Sequence, residues 1–216
     1  SMSAYGFHSE DVEDRHQQLQ PLFSTYHFKQ EQFKVSRITP KAHEAIEALK
    51  LEHPRYAKLD QTVLMAILCT RACVQGHAIN RASTGLNMGS SRGATALFET
   101  YYKHFLETGT AAALTSPTTT LGNLATWPAQ DLGLKGVQMS HSITCSTALH
   151  GFLNAKAWLN SGMSDAFIVG GSEAPLTDFT IAQMKAIKLY YRQYDNYPCR
   201  SLDFHKTENT LVLAEA

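Results

Sequence analysis

VQMSHSITCSTALHGFLNAKAWLNSGMSDAFIVGGSE, residues 137–173, holds three structural signals in succession. Val137, Met139, His141 and Ile143 alternate with polar residues, the period of a strand. A helix is expected at once after it, over 145–160, with Gly162 where a C-terminal cap glycine belongs. Ala166–Val169 is then a short apolar run bounded by Gly170-Gly171, which suits a strand buried on both faces.

The rest of the chain extends the same alternation. Upstream, Ser116-Pro117-Thr118-Thr119-Thr120 marks a helix start, and the helix over Leu121–Leu132 carries Trp127-Pro128, which should shorten or kink it. Before it, Leu97, Phe98, Tyr101, Phe105 and Leu106 fall at helical spacing and Gly109 closes the run. A strand region, Ile79–Met88, ends in the turn-rich Gly89–Gly93. Gln61–Val74 is apolar nearly all round and reads as a buried central helix. Thr39 and Pro40 begin a helix with the stripe Ala42, Ala45, Ile46 and Leu49, ended by His53-Pro54. Downstream, a helix over 180–190 and a strand over 210–213 are expected. Strands alternating with helices over short links predict an α/β layered fold, with a mainly parallel mixed sheet and a buried central helix. Residues 3–36 form a poorly defined N-terminal segment, a partly ordered arm or a partner-contacting stretch, ahead of one domain over 37–216.

The chemistry falls at the first of these junctions. Cys145 sits at the strand-to-helix turn, where unpaired backbone N–H groups and the positive end of the helix dipole favour a thiolate. A thiolate attacks a thioester carbonyl and leaves again readily, and the same N–H groups can hold the tetrahedral oxyanion. Ser140, Ser142, Thr144, Ser146 and Thr147 crowd the turn with small hydroxyl groups that favour close backbone approach. Leu149, Phe152, Leu153, Ala157 and Trp158 are expected to seat the following helix in the core and so hold the turn rigid. Inert packing of such a cysteine is the competing reading.

Bulk properties exclude several classes. Hydrophobic residues at 44% and charged residues at 18% allow a packed core, so wholesale disorder is excluded. Zero net charge and the absence of a basic run argue against nucleic acid or an anionic membrane surface as partner. The longest apolar stretch, within Thr62–Val74, falls short of the roughly 20 residues a membrane span needs. The polar start, with Glu10, Asp11, Glu13 and Asp14, is unlike a secretory signal, and Ser1-Met2 reads as a cloning remnant, so a cytoplasmic, reduced protein is expected. The four cysteines form no CxxC; Cys69 and Cys73 share a helix face and are expected to be small buried apolar residues. Scattered histidines without paired spacing make a metal site unexpected, and Gly89–Gly93 lacks the Gly-Lys-Ser/Thr ending of a phosphate loop.

Ser140–His150 (SHSITCSTALH), followed by an apolar helix and then by Ala166–Glu173 (AFIVGGSE), resembles the nucleophile region of β-ketoacyl-acyl-carrier-protein synthases. Gly89–Gly93 resembles that family's GSSRG turn, and Ser116-Pro117 through Gly122-Asn123 its SP…N helix start. Cys199–Asp203 resembles its SRPFD segment and Leu211–Ala216 its FVLGEGA strand, with Ala214 where the family has Gly. Five likenesses in family order cover about residues 60–216 and imply the N-terminal half of a thiolase-like fold. Cys145 is then the acyl-accepting nucleophile, its own N–H one oxyanion donor. Thr144, Ser146 and Leu211 are the candidate substrate-binding residues, Leu211 standing where the family often has a gating Phe. The substrate is an acyl-carrier-protein phosphopantetheine thioester, with no bound cofactor. Synthases of polyene or pigment-like acyl chains are the most similar kind.

The resemblance also implies parts that are not recognisable. The family's opening strand with its Gly-rich turn is not legible in residues 3–36, and its two condensing histidines belong to a C-terminal half beyond Ala216. A truncation, a fragment or a subunit completed by another chain is expected, as a homodimer or heterodimer with the strand over 137–143 at the interface. His141 reads as a satisfied buried histidine, His150 as a packing or hydrogen-bonding residue, and Glu173 as a structural anchor. The competing functions are a non-catalytic partner subunit and a cysteine-dependent acyl hydrolase or thiolase-like enzyme. The setting Thr144-Cys145-Ser146 argues against a thiolase.

Overall fold

The computed structural model describes residues 1–18, 22–192, 198–200 and 202–216; Ser201 of the SRPFD-like segment lies outside them. In chain order the elements are α1 (Ser9–Gln17), β1 (Ser24–Phe28), β2 (Glu31–Ser36), α2 (Pro40–Glu52) and, after a single 3₁₀ turn, α3 (Gln61–Val74). Then come β3 (Thr84–Gly89), α4 (Thr95–Thr108), α5 (Thr115–Thr119), α6 (Asn123–Leu132), β4 (Gln138–His141), α7 (Thr147–Asn160), β5 (Ala166–Gly171), α8 (Asp178–Ala186) and β6 (Leu213–Ala214). The chain divides into two units, Glu44–Ala174 and Ser1–His43 with Pro175–Ala216.

The first unit is built on three parallel strands in the order β4-β3-β5. β3 is buried along its whole length, and its two faces differ. Leu86 and Met88 join Ala66 of α3, Leu124, Ala125 and Ala129 of α6, and Ile168 of β5 in the core. α3 buries Thr62 through Ile67 and Thr70, as a central helix should. Asp60 fixes its start: one carboxylate oxygen accepts the Thr62 N–H at 2.9 Å and the other the Leu97 N–H at 3.0 Å, so one buried side chain serves the first turns of two helices. α6 runs through Pro128 without interruption. Gly109 and Gly162 both take left-handed backbone just past their helices, as their positions predict.

The opposite face of β3 presents Gly85, Asn87 and Gly89. A Cβ on Gly89 would stand 2.1 Å from Thr147 Cγ2, and one on Gly151 would stand 2.9 Å from Val169 Cγ1. The face of α7 laid on the sheet is therefore Thr147, Gly151 and Ala155, one small residue per turn. This corrects the expected seating of the helix: Leu149, Phe152 and Leu153 are 70%, 61% and 63% exposed, Ala157 is exposed, and only Trp158 is half-buried, against Phe167. Close approach of helix to strands selects small residues and turns the large ones outward. α4 likewise leaves Phe98, Tyr102 and Phe105 exposed, stacked in sequence along the helix. Cys69 is half-buried and Cys73 exposed, so the latter is not the core residue expected.

In the second unit β1 and β2 form an antiparallel hairpin, and β2 pairs β6 in parallel. Residues 3–36 thus carry a helix and a hairpin that the sequence does not announce, because β1 offers only Tyr26 and Phe28 to the core. Phe33, Val35, Ile181, Met184, Tyr190 and Tyr191 close that core. Tyr190 meets Phe33 edge-on at 5.3 Å and donates to the Lys34 carbonyl at 2.6 Å, and burial pushes its hydroxyl up to about 12. The helix expected over 180–190 ends at Ala186, and the last strand begins at Leu213 rather than at residue 210. Among the described residues no helix is long and apolar enough to cross a membrane.

Candidate active site

β3, β4 and β5 run in parallel and end together, so the segments that follow them meet at one edge of the sheet. Crevices at the carboxyl ends of parallel strands are where α/β sheets place their ligands. Here the three segments are the 89–93 turn, the Ser142–Ser146 turn and residues 171–173, and hydrogen bonds tie them together. The Glu173 carboxylate accepts the Ser91 N–H. Ser142 Oγ donates to the Ser91 carbonyl at 3.3 Å, and the Ser90 N–H reaches the His141 carbonyl at 3.4 Å. The Ser172 N–H donates to the Gly89 carbonyl at 3.0 Å, and its hydroxyl to Thr62 of α3 at 2.8 Å. Glu173 is thus a structural anchor.

The Cys145 turn is strained and internally braced. Thr144 takes left-handed backbone at φ 48°, which for a β-branched residue costs on the order of 1–3 kcal/mol. Thr147 opposes that strain with one hydroxyl, which accepts the Ile143 N–H at 2.8 Å and donates to the Thr144 carbonyl at 2.5 Å. Ser146 Oγ donates to the Ile143 carbonyl at 3.0 Å. Cys145 is exposed at the outside of this brace, and its backbone N–H meets no acceptor among the described residues. An exposed sulfur and an open N–H on one residue at a helix start are the two groups that acyl transfer through a tetrahedral oxyanion needs. By contrast, burial pushes the Cys69 thiol up, which disfavours its reactive form.

Other residues singled out in the sequence fall as follows. Thr144 and Ser146 flank Cys145: the Thr144 carbonyl receives the Thr147 hydroxyl, and the Ser146 hydroxyl is spent on the Ile143 carbonyl. His150 is half-buried, and its Nδ1 lies 3.1 Å from the Ser146 carbonyl. His141 is half-buried and only half satisfied: Nδ1 lies 3.1 Å from Asn87 Oδ1, while Nε2 and the Asn87 amide nitrogen are buried without partners. Leu211 belongs to the other unit, where it bridges Tyr190 ahead of β6 and its carbonyl accepts the Tyr191 N–H at 2.9 Å. Sequence reasoning missed the pairing of Gly89 with Thr147, which lie far apart in the chain and meet only because β4, which leads into α7, pairs with β3.

The β-ketoacyl synthase, N-terminal domain, family matches residues 28–216. The chain is 28% identical over 138 residues to 3-oxoacyl-[acyl-carrier-protein] synthase 2 of Vibrio cholerae serotype O1, an alignment covering 63% of this chain and 33% of that protein. Among solved structures it is similar to a type II PKS acyl-carrier protein in complex with its ketosynthase bound to the hexaketide, with a TM-score of 0.76 at 15% identity, covering 99% of this chain and 53% of that one. It is also similar to a β-ketoacyl synthase from Burkholderia phymatum (TM-score 0.73, 12% identity, 98% and 54% covered). A ketosynthase in complex with its chain length factor from Xenorhabdus doucetiae gives a TM-score of 0.69 at 14% identity, with 99% and 53% covered. The chain therefore spans about a third of the curated relative and about half of these solved chains. Their fold is the thiolase-like α/β arrangement, and on the family match over most of its length this chain belongs to the β-ketoacyl synthase family, as its N-terminal domain.

Proposed function

We propose that Cys145 accepts an acyl chain from the phosphopantetheine thioester of acyl carrier protein, in the condensing chemistry of fatty-acid or polyketide synthesis. The observation that carries this is the exposed Cys145 sulfur beside its own open N–H, on a turn braced at the start of α7. The thiolate attacks the thioester carbonyl, the oxyanion accepts a hydrogen bond from the N–H, and the C–S bond to the carrier breaks with release of the carrier thiolate, which takes its proton from solvent. A malonyl carrier thioester then loses carbon dioxide, its carbanion attacks the acyl-Cys145 carbonyl, and the Cys145 thiolate departs. No step in this scheme draws on a bound cofactor. Thr144 and Ser146 shape the backbone on which the thioester seats, and Leu211 acts on acyl-chain selectivity.

The chain spans about half of the ketosynthase chains it resembles, and we infer that the decarboxylating groups of the condensation belong to the other half of such a fold or to another chain. The uncovered apolar face of α7, with Leu149, Phe152 and Leu153, supports such a partner, because exposed apolar patches of this kind mark interaction surfaces. β4 lies at the edge of its sheet and pairs only with β3 among the described residues, which supports a homodimer or heterodimer through that strand.

The test is to incubate the protein with a long-chain acyl-carrier-protein thioester beside a Cys145→Ala control and to weigh the intact chain. An acyl adduct absent from the control supports the proposal. No adduct, with Cys145 also resisting a small alkylating reagent, replaces it with a non-catalytic partner subunit. Release of free acid without extension replaces it with a hydrolase.

A further inference from the structure

His150 is spent on the backbone rather than on the thiol. Its Nδ1 lies 3.1 Å from the carbonyl oxygen of Ser146, one helical turn back, and that oxygen also takes the His150 N–H at 3.1 Å. A carbonyl oxygen can only accept, so Nδ1 must carry a proton, and in the neutral ring Nε2 is then a bare acceptor. The ring is thereby held in one tautomer by the chain itself.

What it ties down is the residue that joins the nucleophile to its helix. Ser146 stands at the helix start with φ −93° and ψ 5°, directly after Cys145 and two residues after the left-handed Thr144. The other braces of the turn, from Thr147 and from the Ser146 hydroxyl, reach the Ile143 and Thr144 backbone. Only the Nδ1 bond, among the side-chain bonds of this turn, holds the Ser146 peptide itself. Strain at a functional turn persists only where its surroundings over-determine it.

We propose that His150 is a positioning residue for Cys145. Through Nδ1–H it locks the Ser146 carbonyl and so fixes the direction in which the Cys145 sulfur and N–H are presented. This rests on the reading of Cys145 as the acyl acceptor, and it assigns to His150 no proton transfer.

Asn and Gln variants separate this from the alternatives, since the Asn amide nitrogen occupies the place of Nδ1 and the Gln amide nitrogen that of Nε2. The rate of Cys145 alkylation by iodoacetamide is followed by peptide mass spectrometry in the intact protein, with exposed Cys73 of α3 as the internal standard. Thermal midpoints of all variants are measured alongside. His150→Asn is expected to keep the wild-type rate within about twofold, while His150→Gln and His150→Ala lose about fivefold or more, at unchanged Cys73 rates and thermal midpoints. Retention by Gln with loss in Asn overturns the proposal in favour of a role for Nε2. Equal loss in all three, or no loss in any, overturns it as well. The expected pattern across the variants, with a wild-type protein that takes no acyl group, defeats the acyl-acceptor reading and leaves the tether standing.

Discussion

Gly89 and Thr147 stand so close that a Cβ on the glycine would lie 2.1 Å from the threonine Cγ2 and 3.1 Å from its Cβ. The last residue of the central strand and the first residue of the helix that follows Cys145 are thus in contact with no room for a methyl group. Gly89→Ala must push the start of α7 off the sheet, an overpacking that costs about 1–3 kcal/mol. Thr147→Ser removes Cγ2 and keeps the hydroxyl, so the double variant Gly89→Ala with Thr147→Ser should recover part of that loss. Denaturant unfolding of the two single variants and the double checks this, and strict additivity would contradict the contact.

The Thr147 hydroxyl is a separate matter from its methyl. It accepts from Ile143 and donates to Thr144, and the residue is 3% exposed. Thr147→Val keeps the shape but removes the acceptor of the Ile143 N–H and one of two donors to the Thr144 carbonyl, which keeps the Thr147 N–H at 3.3 Å, at about 0.5–1.5 kcal/mol per bond. Because both bonds hold the left-handed Thr144, Cys145 alkylation should slow in Thr147→Val and stay near wild type in Thr147→Ser. Equal alkylation rates in all three proteins would separate the brace from Cys145.

These two relationships show what the sequence could and could not disclose. The junction itself was legible: alternation over 137–143 and the apolar run before Gly170-Gly171 locate β4 and β5, and Cys145 falls between strand and helix as expected. The outward face of α7 was not legible, because amphipathic spacing tells which residues share a face and not which face meets the protein. Leu149, Phe152 and Leu153 form the more apolar stripe, yet the glycines of β3 and β5 admit only the small stripe of Thr147, Gly151 and Ala155. The hairpin over 24–36 escaped for a different reason. Its register is set by pairing between β1 and β2 and by Lys29 in left-handed backbone, where no Asn-Gly or Asp-Gly turn signals it.

Glu173 accepts the Ser91 N–H, which joins the end of β5 to the turn after β3. An amide oxygen can take that bond as a carboxylate oxygen does, so Glu173→Gln should leave Cys145 alkylation and acylation within about twofold of wild type. Glu173→Ala releases the turn and should cost about 1–3 kcal/mol with slower alkylation. Loss of acylation in Glu173→Gln at unchanged stability would instead make the carboxylate a chemical participant.

Phe152 is 61% exposed in this chain. Substitutions at free surface positions stay within about 0.5 kcal/mol of neutral. If another half or another chain covers α7, Phe152→Ala in the intact protein should cost about 3 kcal/mol or more, as core truncations of a phenylalanine do. Thermal or denaturant unfolding of the intact assembly decides it, and a neutral result would leave the α7 face to solvent.

Asp131 of α6 carries the strongest electrostatic constraint in its unit. Its side chain, 5% exposed, accepts from Arg71 Nε at 2.8 Å, from Arg71 Nη2 at 2.6 Å and from the Tyr56 hydroxyl at 2.6 Å, while Arg71 also pairs with Glu52 of α2. Burial by itself pushes the Asp131 carboxyl up, but the Arg71 hydrogen bonds, the Tyr56 hydroxyl and the Arg71 charge together outweigh it and hold the group below its ordinary 3.8. The native carboxylate therefore takes up its proton at lower pH than the unfolded one, and in that interval the unfolded chain binds more protons. The stability contributed by this group is complete above about 3.8 and is lost as pH falls through the lowered native value. Asp131→Asn should cost about 1.5–3 kcal/mol near neutrality, since it removes the charge from hydrogen bonds to a guanidinium. Unfolding free energies of the two proteins should then differ by a constant amount between about pH 7 and about pH 5 and converge only below about pH 4. A gap that widens on acidification would reverse the sign of the shift, and a gap absent at neutrality would reduce the Arg71–Asp131 pair to a contact without consequence for the docking of α3 on α6.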